Sequence, residues 1–428
     1  MKRIIQKLKY YLVPGIMGAL FFTSCVTTQQ ATSNRRLNLN FLYNPNAQNI
    51  HANVIAHNLD NNSTLIYFQI PSKDLMFLPN GESSSCNLTI RYTLYETSQG
   101  LKLKDTLSFT RTIVNQNQSH YIFQFDIATQ DTASYMLDLF ISDPTFSNHF
   151  HQYINIERRA KINANDFMLV DKKGIPYFTS WLNDSDTFAI VLRKNMPQEW
   201  KMAWFPNTFK LCSPPYQMSV NKDFILPTPD SIRVKLICDT CFFTMNHASI
   251  LHIYRDSIGN GKTIFNFSDH YPSFVRPSEL LQPLRMLNSQ KEFNELNILA
   301  DKKEAVDRFW LNASGNVSRA RELIRVFYTR AMLANTYFTS YTEGWKTDRG
   351  MIYIIFGLPT TIYKASTIEQ WIYGTPQSPK VLVFNFIKKP NPFTDNHYVM
   401  ERNEAYKISW LQAVDTWRNG RVFSIRNE

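Results

Sequence analysis

Few residues in this chain have the types and spacing to do chemistry. Cys238-Asp239-Thr240-Cys241 sets two thiols three positions apart. That spacing suits a local disulfide, half of a structural zinc site, or a redox pair at a helix N-terminus. No second pair follows, His247 and His252 fall in a β-like run, and no helix start is evident at the pair. A disulfide between Cys238 and Cys241, with no metal, is the expectation. A second set is Trp345, Thr347, Asp348 and Arg349, bracketed by Gly344 and Gly350. A guanidinium can hold a carboxylate through two parallel hydrogen bonds, here from Asp348, Glu343 or Glu369. No nucleophile–His–acid set accompanies the turn, and His397 is the only His beyond it. The expectation is a protein with no catalytic residues, cofactor or metal.

The elements that position these residues point to a multidomain chain, mainly β with α+β. Its 428 residues suit two to four domains, and 31 Phe and 21 Tyr against 13 Gly favour strands. From 37 to 159 short runs such as Leu37–Phe41, Thr64–Ile70 and Leu88–Tyr95 are separated by polar turns, as in a β-sandwich-like domain. A second β-rich domain spans 160–271, where Trp181, Trp200, Trp204 and Tyr216 either line a ligand groove or fill the core. Residues 272–343 read as helical. Asn316 is a good N-cap for a helix whose apolar stripe runs from Val317 to Phe338, with Arg319, Arg321, Arg325 and Arg330 facing water. Residues 344–428 form a small α+β unit. In it Met351–Phe356, Gln370–Tyr373 and Val381–Ile387 read as strands, and Glu404–Arg418 as a helix with Ala405, Ile408, Leu411, Val414 and Trp417 along one side.

The N-terminus bears on location. Lys2, Arg3, Lys7 and Lys9 precede an apolar stretch from Tyr10 to Phe22, too short to span a bilayer comfortably, and Thr23-Ser24-Cys25 follows. This resembles a lipoprotein signal over 1–24, with Cys25 lipidated and 25–36 a polar tether. Acyl chains on Cys25 hold a protein at a membrane without a spanning helix. The formal charge of +11 is scattered, with no Lys/Arg block of the kind that makes a nucleic-acid arm. A mildly basic surface can still meet anionic lipid or cell-wall polymer.

Gly344-Trp345-Lys346-Thr347-Asp348-Arg349-Gly350, then Tyr353, Gly357 and Pro359, then Trp371 and Tyr373, resembles the signature of the GWxTD-domain proteins. The close match runs over about 320–390, and the resemblance implies a Bacteroidetes-type envelope lipoprotein but no biochemical activity. With no acidic patch after Cys25, it implies the periplasmic face of the outer membrane rather than the cell surface. Asp105-Thr106-Leu107, Asp131-Thr132-Ala133, Asp230-Ser231-Ile232 and Asp256-Ser257-Ile258 resemble Bacteroidetes O-glycosylation sites, making Thr106, Thr132, Ser231 and Ser257 candidate acceptors. The signature turn has two readings. It either locks the long helix onto the terminal sheet, with Gly344 and Gly350 supplying unusual backbone angles, or exposes Trp345, Asp348 and Arg349 to a partner protein, an anion or a glycan. The expected function is a structural or partner-docking component of an envelope assembly. The alternative is a glycan- or cell-wall-binding lipoprotein, and a hydrolase is the remote third. Expected partners are the membrane, an envelope protein and a glycan, with no nucleic acid. A Cys25→Ala chain is expected to lose incorporation of a palmitate analogue and to leave the detergent phase on phase separation. Unchanged labelling would rule out the lipid anchor at that residue.

Overall fold

Alternating burial shapes the first two bodies. In the strand Ser63–Pro71, Thr64, Ile66, Phe68 and Ile70 are buried and the residues between them are not, the period-two pattern of a sheet with one wet face. The computed structural model describes residues 37–425, apart from 82, 160–161, 219–223, 238–240, 246–247 and 376–380. Cys25 and Cys238 therefore lie outside the described residues.

The first body holds eight strands: β1 (Asn53–Asn58), β2 (Ser63–Pro71), β3 (Leu78–Asn80), β4 (Ser83–Glu96), β5 (Lys102–Val114), β6 (His120–Ala128), β7 (Tyr135–Asp143) and β8 (Asn148–Ile156). They form a β1-β2-β6 sheet and a β3-β4-β7-β8 sheet with β5 added along β4. Ile66, Phe68, Leu88, Ile90, Leu137 and Leu139 from both sheets share one core, which makes a sandwich. The second body holds β9 (Phe167–Val170), β10 (Thr187–Leu192), β11 (Glu199–Pro206), β12 (Ser231–Leu236), β13 (Phe243–Thr244), β14 (Ser249–Tyr254) and β15 (Gly261–Phe265). Its sheets, β13-β10-β9 and β12-β11-β14-β15, again close on one core. All six residues of β14 are buried, because its other face packs with Tyr271 and Phe393 of the next body.

A charged seam joins the sandwiches. Arg158, 1% exposed, donates to Asp131 and to the carbonyls of Asp60 and Ser63. Arg193 pairs with the same Asp131 and with Asp166. Asp166 also accepts from Asn58 (2.8 Å) and from the Asn163 backbone (2.9 Å).

The third body holds α1 (Pro277–Leu281), α2 (Gln290–Ile298), α3 (Lys302–Ser314), α4 (Val317–Phe338), α5 (Asp348–Phe356), the antiparallel sheet β16 (Thr361–Lys364), β17 (Ile368–Tyr373), β18 (Leu382–Lys388) and β19 (Tyr398–Met400), and α6 (Tyr406–Arg418). Asn316 caps α4 as expected, accepting from the Arg319 N–H at 2.8 Å. Trp310, Phe327, Phe338, Trp371, Phe384 and Trp417 belong to one core, so no division of the core appears at the expected 343/344 boundary. Among the described residues no helix is long and apolar enough to cross a membrane.

Several expectations are corrected. Met351–Phe356 is not a strand but part of α5, every residue of which is buried. A helix enclosed on all sides is apolar all round, and a short apolar run carries no period to separate it from a buried strand. Leu37–Phe41 is not a strand. Residues 40–43 form a 3-10 turn attached to the third body, where Leu39 N donates to Ile362 O (2.9 Å) and Tyr43 joins the core beside Trp371. In α6 the buried face is Trp410, Ala413 and Trp417, while Ile408 is 70% exposed. Arg330 does not face water. Its guanidinium donates to the carbonyls of Ile354, Ile355 and Phe423, lies over Trp417, and so closes the C-terminal end of α5.

Three enclosed histidines are expected to make the fold acid-sensitive. Burial pushes His57, His252 and His397 down to about 4, so protons bind the unfolded chain first as pH falls. Their contribution is complete above the unfolded value near 6.5 and is lost on the way down to 4. The urea midpoint is expected to drop over that window, and less steeply in a His252→Gln chain. A flat profile in the wild-type chain would contradict this.

Candidate functional site

The signature turn is built from α4 outward. Asn335, 1% exposed, accepts from the Trp345 N–H (3.0 Å) and donates to the Pro272 carbonyl (2.8 Å). The Tyr271 hydroxyl accepts from Gly344 N at 3.2 Å and also bonds Thr339. Neither Gly344 nor Gly350 has a positive φ, which corrects the expected role of both. They are needed for contact instead: a Cβ on Gly344 would sit 2.1 Å from Ala334 O, and one on Gly350 1.9 Å from Gly344 O. The turn therefore rides directly on the backbone of α4.

Thr347 is the N-cap of α5. Its hydroxyl accepts from Gly350 N (3.1 Å) and donates to Gly344 O (2.7 Å). Asp348, in the first turn of α5, accepts from Met400 N at 2.9 Å and pairs with Arg402, which also donates to Ser213 O. Arg349 is 1% exposed. Of its three candidate carboxylates it takes Glu369 (3.1 Å), and it donates as well to the carbonyl and side chain of Asn396. Its guanidinium lies 4.0 Å from the Tyr398 ring centroid and 5.1 Å from that of Phe338. Glu369 also accepts from Trp371 Nε1 at 2.8 Å and meets Lys364 at 3.6 Å. Burial opposes its ionisation, but Arg349, Lys364 and the Trp371 and Tyr43 hydrogen bonds outweigh that and hold its carboxyl below its ordinary value. Trp345 is buried beside Phe274, with the Lys346 ammonium over its ring.

Trp345, Thr347, Asp348, Arg349 and Trp371 are thus brought together, but inward. The exposed-trio reading is corrected, because every polar atom of Asp348 and Arg349 named above is met by this chain's own groups. Arg402, Asn335, Asn396 and Tyr271 were missed by sequence reasoning. They reach the turn only through tertiary contact, and no local spacing signals them.

Of the two readings of the second-body aromatics, packing describes the three tryptophans better than a shared groove. Trp200 is core, Trp181 packs edge-on to Tyr271, Trp204 lies under Arg233, and Tyr216 lines a separate groove beside Cys212 and Trp410. Cys241 is disulfide-bonded, whereas Cys86 and Cys212 are free. Burial and then the nearby Asp348 carboxylate push the Cys212 thiol well up, away from a reactive thiolate. Thr106, Thr132 and Ser257 are exposed and Ser231 half-buried, while Asp131 beside Thr132 is held in the inter-sandwich seam. Among the described residues no group of His, Cys, Asp and Glu is arranged to hold a metal.

Removing one member of a buried ion pair strands the other. Arg349→Met is expected to cost about 3–5 kcal/mol in denaturant unfolding, with part recovered on adding Glu369→Gln. Gly344→Ala is expected to cost about 1–3 kcal/mol or more by forcing the turn off α4. A change within about 0.5 kcal/mol for either single variant would refute the locking role.

A comparison with curated proteins returned no match. Among solved structures, Bacteroides uniformis β-glucuronidase 2, bound covalently to cyclophellitol-6-carboxylate aziridine, aligns at 9% identity and a TM-score of 0.17. The alignment covers 39% of this chain and 16% of that one, far too little to speak to activity. The family comparison matches the GWxTD domain over residues 250–419, from the last strands of the second sandwich through α6. The chain therefore carries a GWxTD domain.

Proposed function

We propose that this protein is a non-catalytic lipoprotein of a Bacteroidetes-type outer membrane, anchored through Cys25 and facing the periplasm. It acts there as a structural or partner-docking component of an envelope assembly. The observation that carries the reading is the inward use of Trp345, Asp348 and Arg349, whose contacts hold the third body together. A signature spent on rigidity suits a scaffold that presents its other surfaces.

One such surface supports docking. β5 runs for 13 residues and pairs with β4 alone among the described strands. Leu101, Leu103 and Leu107 are each at least half exposed on it or at its start. A long edge with apolar side chains is a template for an added strand.

A photo-cross-linking residue at Leu103 or Leu107, activated in intact cells, is expected to trap a discrete envelope partner. Repeated failure to trap one, together with no partner in gently solubilised membranes, would remove the docking reading.

A further inference from the structure

A groove of about 880 Å³ lies between the second sandwich and the terminal sheet, and Asn396, which bonds Arg349, forms one end of its lining. One wall is the turn and first residues of the β14–β15 hairpin, Gly259 to Thr263, with Trp181 beside it. The other is the segment from Lys388 to Asn396 that leads from β18 to β19. Ligand pockets commonly hold about 300–1,000 Å³ and combine an aromatic wall with a few convergent polar groups.

Three features of the lining ask for something from outside the chain. Lys262 projects from β15 into the groove wall, and its ammonium forms no ion pair or hydrogen bond among the described residues. Burial alone pushes it down to about 8, with no carboxylate close enough to offset that. Lys262 is half-buried, and a cation so placed with no counter-charge is open to an anion. The Nδ2 groups of Asn163 and Asn391, both lining residues, are buried donors with no partner, and Asn163 as a whole is only 8% exposed. Buried donors are nearly always paired, so these are unspent. The two acids of the wall are already engaged: Glu157 accepts from Ser134 and the Arg159 backbone, and Asp395 meets Lys388 at 3.9 Å. The spare charge of the groove is positive.

The remaining lining sets amides and hydroxyls, such as Asn260, Ser180 and Thr394, beside apolar surface from Trp181, Phe265, Pro390, Pro392 and Phe393. A peptide seeks a free strand edge, yet at Phe265 the outer edge of β15 is occupied. Phe265 N donates to Ser180 O (2.8 Å) and Leu182 N to Phe265 O (2.9 Å). Side-chain amides, hydroxyls and an indole suit a ligand rich in hydroxyls with apolar ring faces, and the cation suits a carboxylate on it.

We propose that this groove binds an acidic polysaccharide, with Lys262 paired to a carboxylate of the sugar chain, Asn163 and Asn391 donating to its oxygens, and Trp181 against a ring. The proposal is independent of the docking surface on β5 and stands or falls without it.

The test is calorimetric titration of the detergent-solubilised full chain with short oligogalacturonate. Wild type is expected to bind, and Lys262→Gln to bind about tenfold more weakly or worse, the loss of one charge-assisted hydrogen bond. Lys235→Gln, on exposed β12, is expected to bind as wild type does. In the unmutated chain, oligogalacturonate is expected to protect Lys262 from amine acylation, read by peptide mass mapping, which needs no variant to fold. Absence of binding, equal affinity of Lys262→Gln, or unprotected Lys262 would overturn the proposal. Equal protection by poly-glutamate would also overturn it, by showing a site for any polyanion.

Discussion

The third body depends on one buried ion pair. Arg349 and Glu369 meet with almost no solvent contact. Such a pair survives only if its remaining hydrogen-bonding capacity is met, since desolvation of two charges otherwise exceeds their attraction. Each further partner comes from a different element. Asn396 lies ahead of β19, Tyr398 is on β19, Phe338 ends α4, and Trp371 is on β17 with Glu369 itself. The pair is satisfied only when helix and sheet are both in place, which couples their formation. Asp348, one residue earlier, repeats the device toward Met400, Arg402 and Ser213.

The same logic holds the chain together over longer distances. Asp131, on a loop of the first sandwich, is shared by Arg158 and by Arg193 of the second. The second sandwich meets the third body over an apolar contact, with Phe205, Phe265 and Phe267 beside Tyr271 and Phe393, and through hydrogen bonds such as Arg402 to Ser213 O and Cys212 N to Lys346 O. Residues 38–43 return to the third body, where the Tyr353 hydroxyl donates to Tyr43 O at 2.9 Å. A polar joint specifies one geometry, because a misplaced charge is left unpaired, while an apolar joint supplies area with less directional demand. This chain uses both.

Rigidity at the signature and openness elsewhere fit together. The residues that looked most like a recognition site are those the fold can least spare. The features left unspent lie on β5 and in the groove around Lys262, outside the signature stretch. Binding surfaces need exposed or underpaired groups, and exposure follows from what packs where rather than from residue type.

Read alone, the sequence determined the kinds of structure and their order. Alternation in β2, β4 and β7, the Asn316 cap and stripe of α4, and the Gln370–Tyr373 strand all follow from local periodicity and capping, which act within a few residues. It also marked Gly344 to Gly350 as the organising turn and Glu369 as one of three acids for Arg349. Tertiary structure decided the rest. Whether Met351–Phe356 becomes helix or strand depends on its enclosure on every side. The face of α6 that is buried depends on where α3 and α4 lie, with Trp310 and Phe327 against Trp417. Gly344 is required by the close backbone of α4 and Gly350 by the Gly344 carbonyl folded back against it, not by their own torsions. The inward turn of Arg349 is the sharpest case: a guanidinium carries no local sign of burial, and only the convergence of four elements around it makes burial affordable.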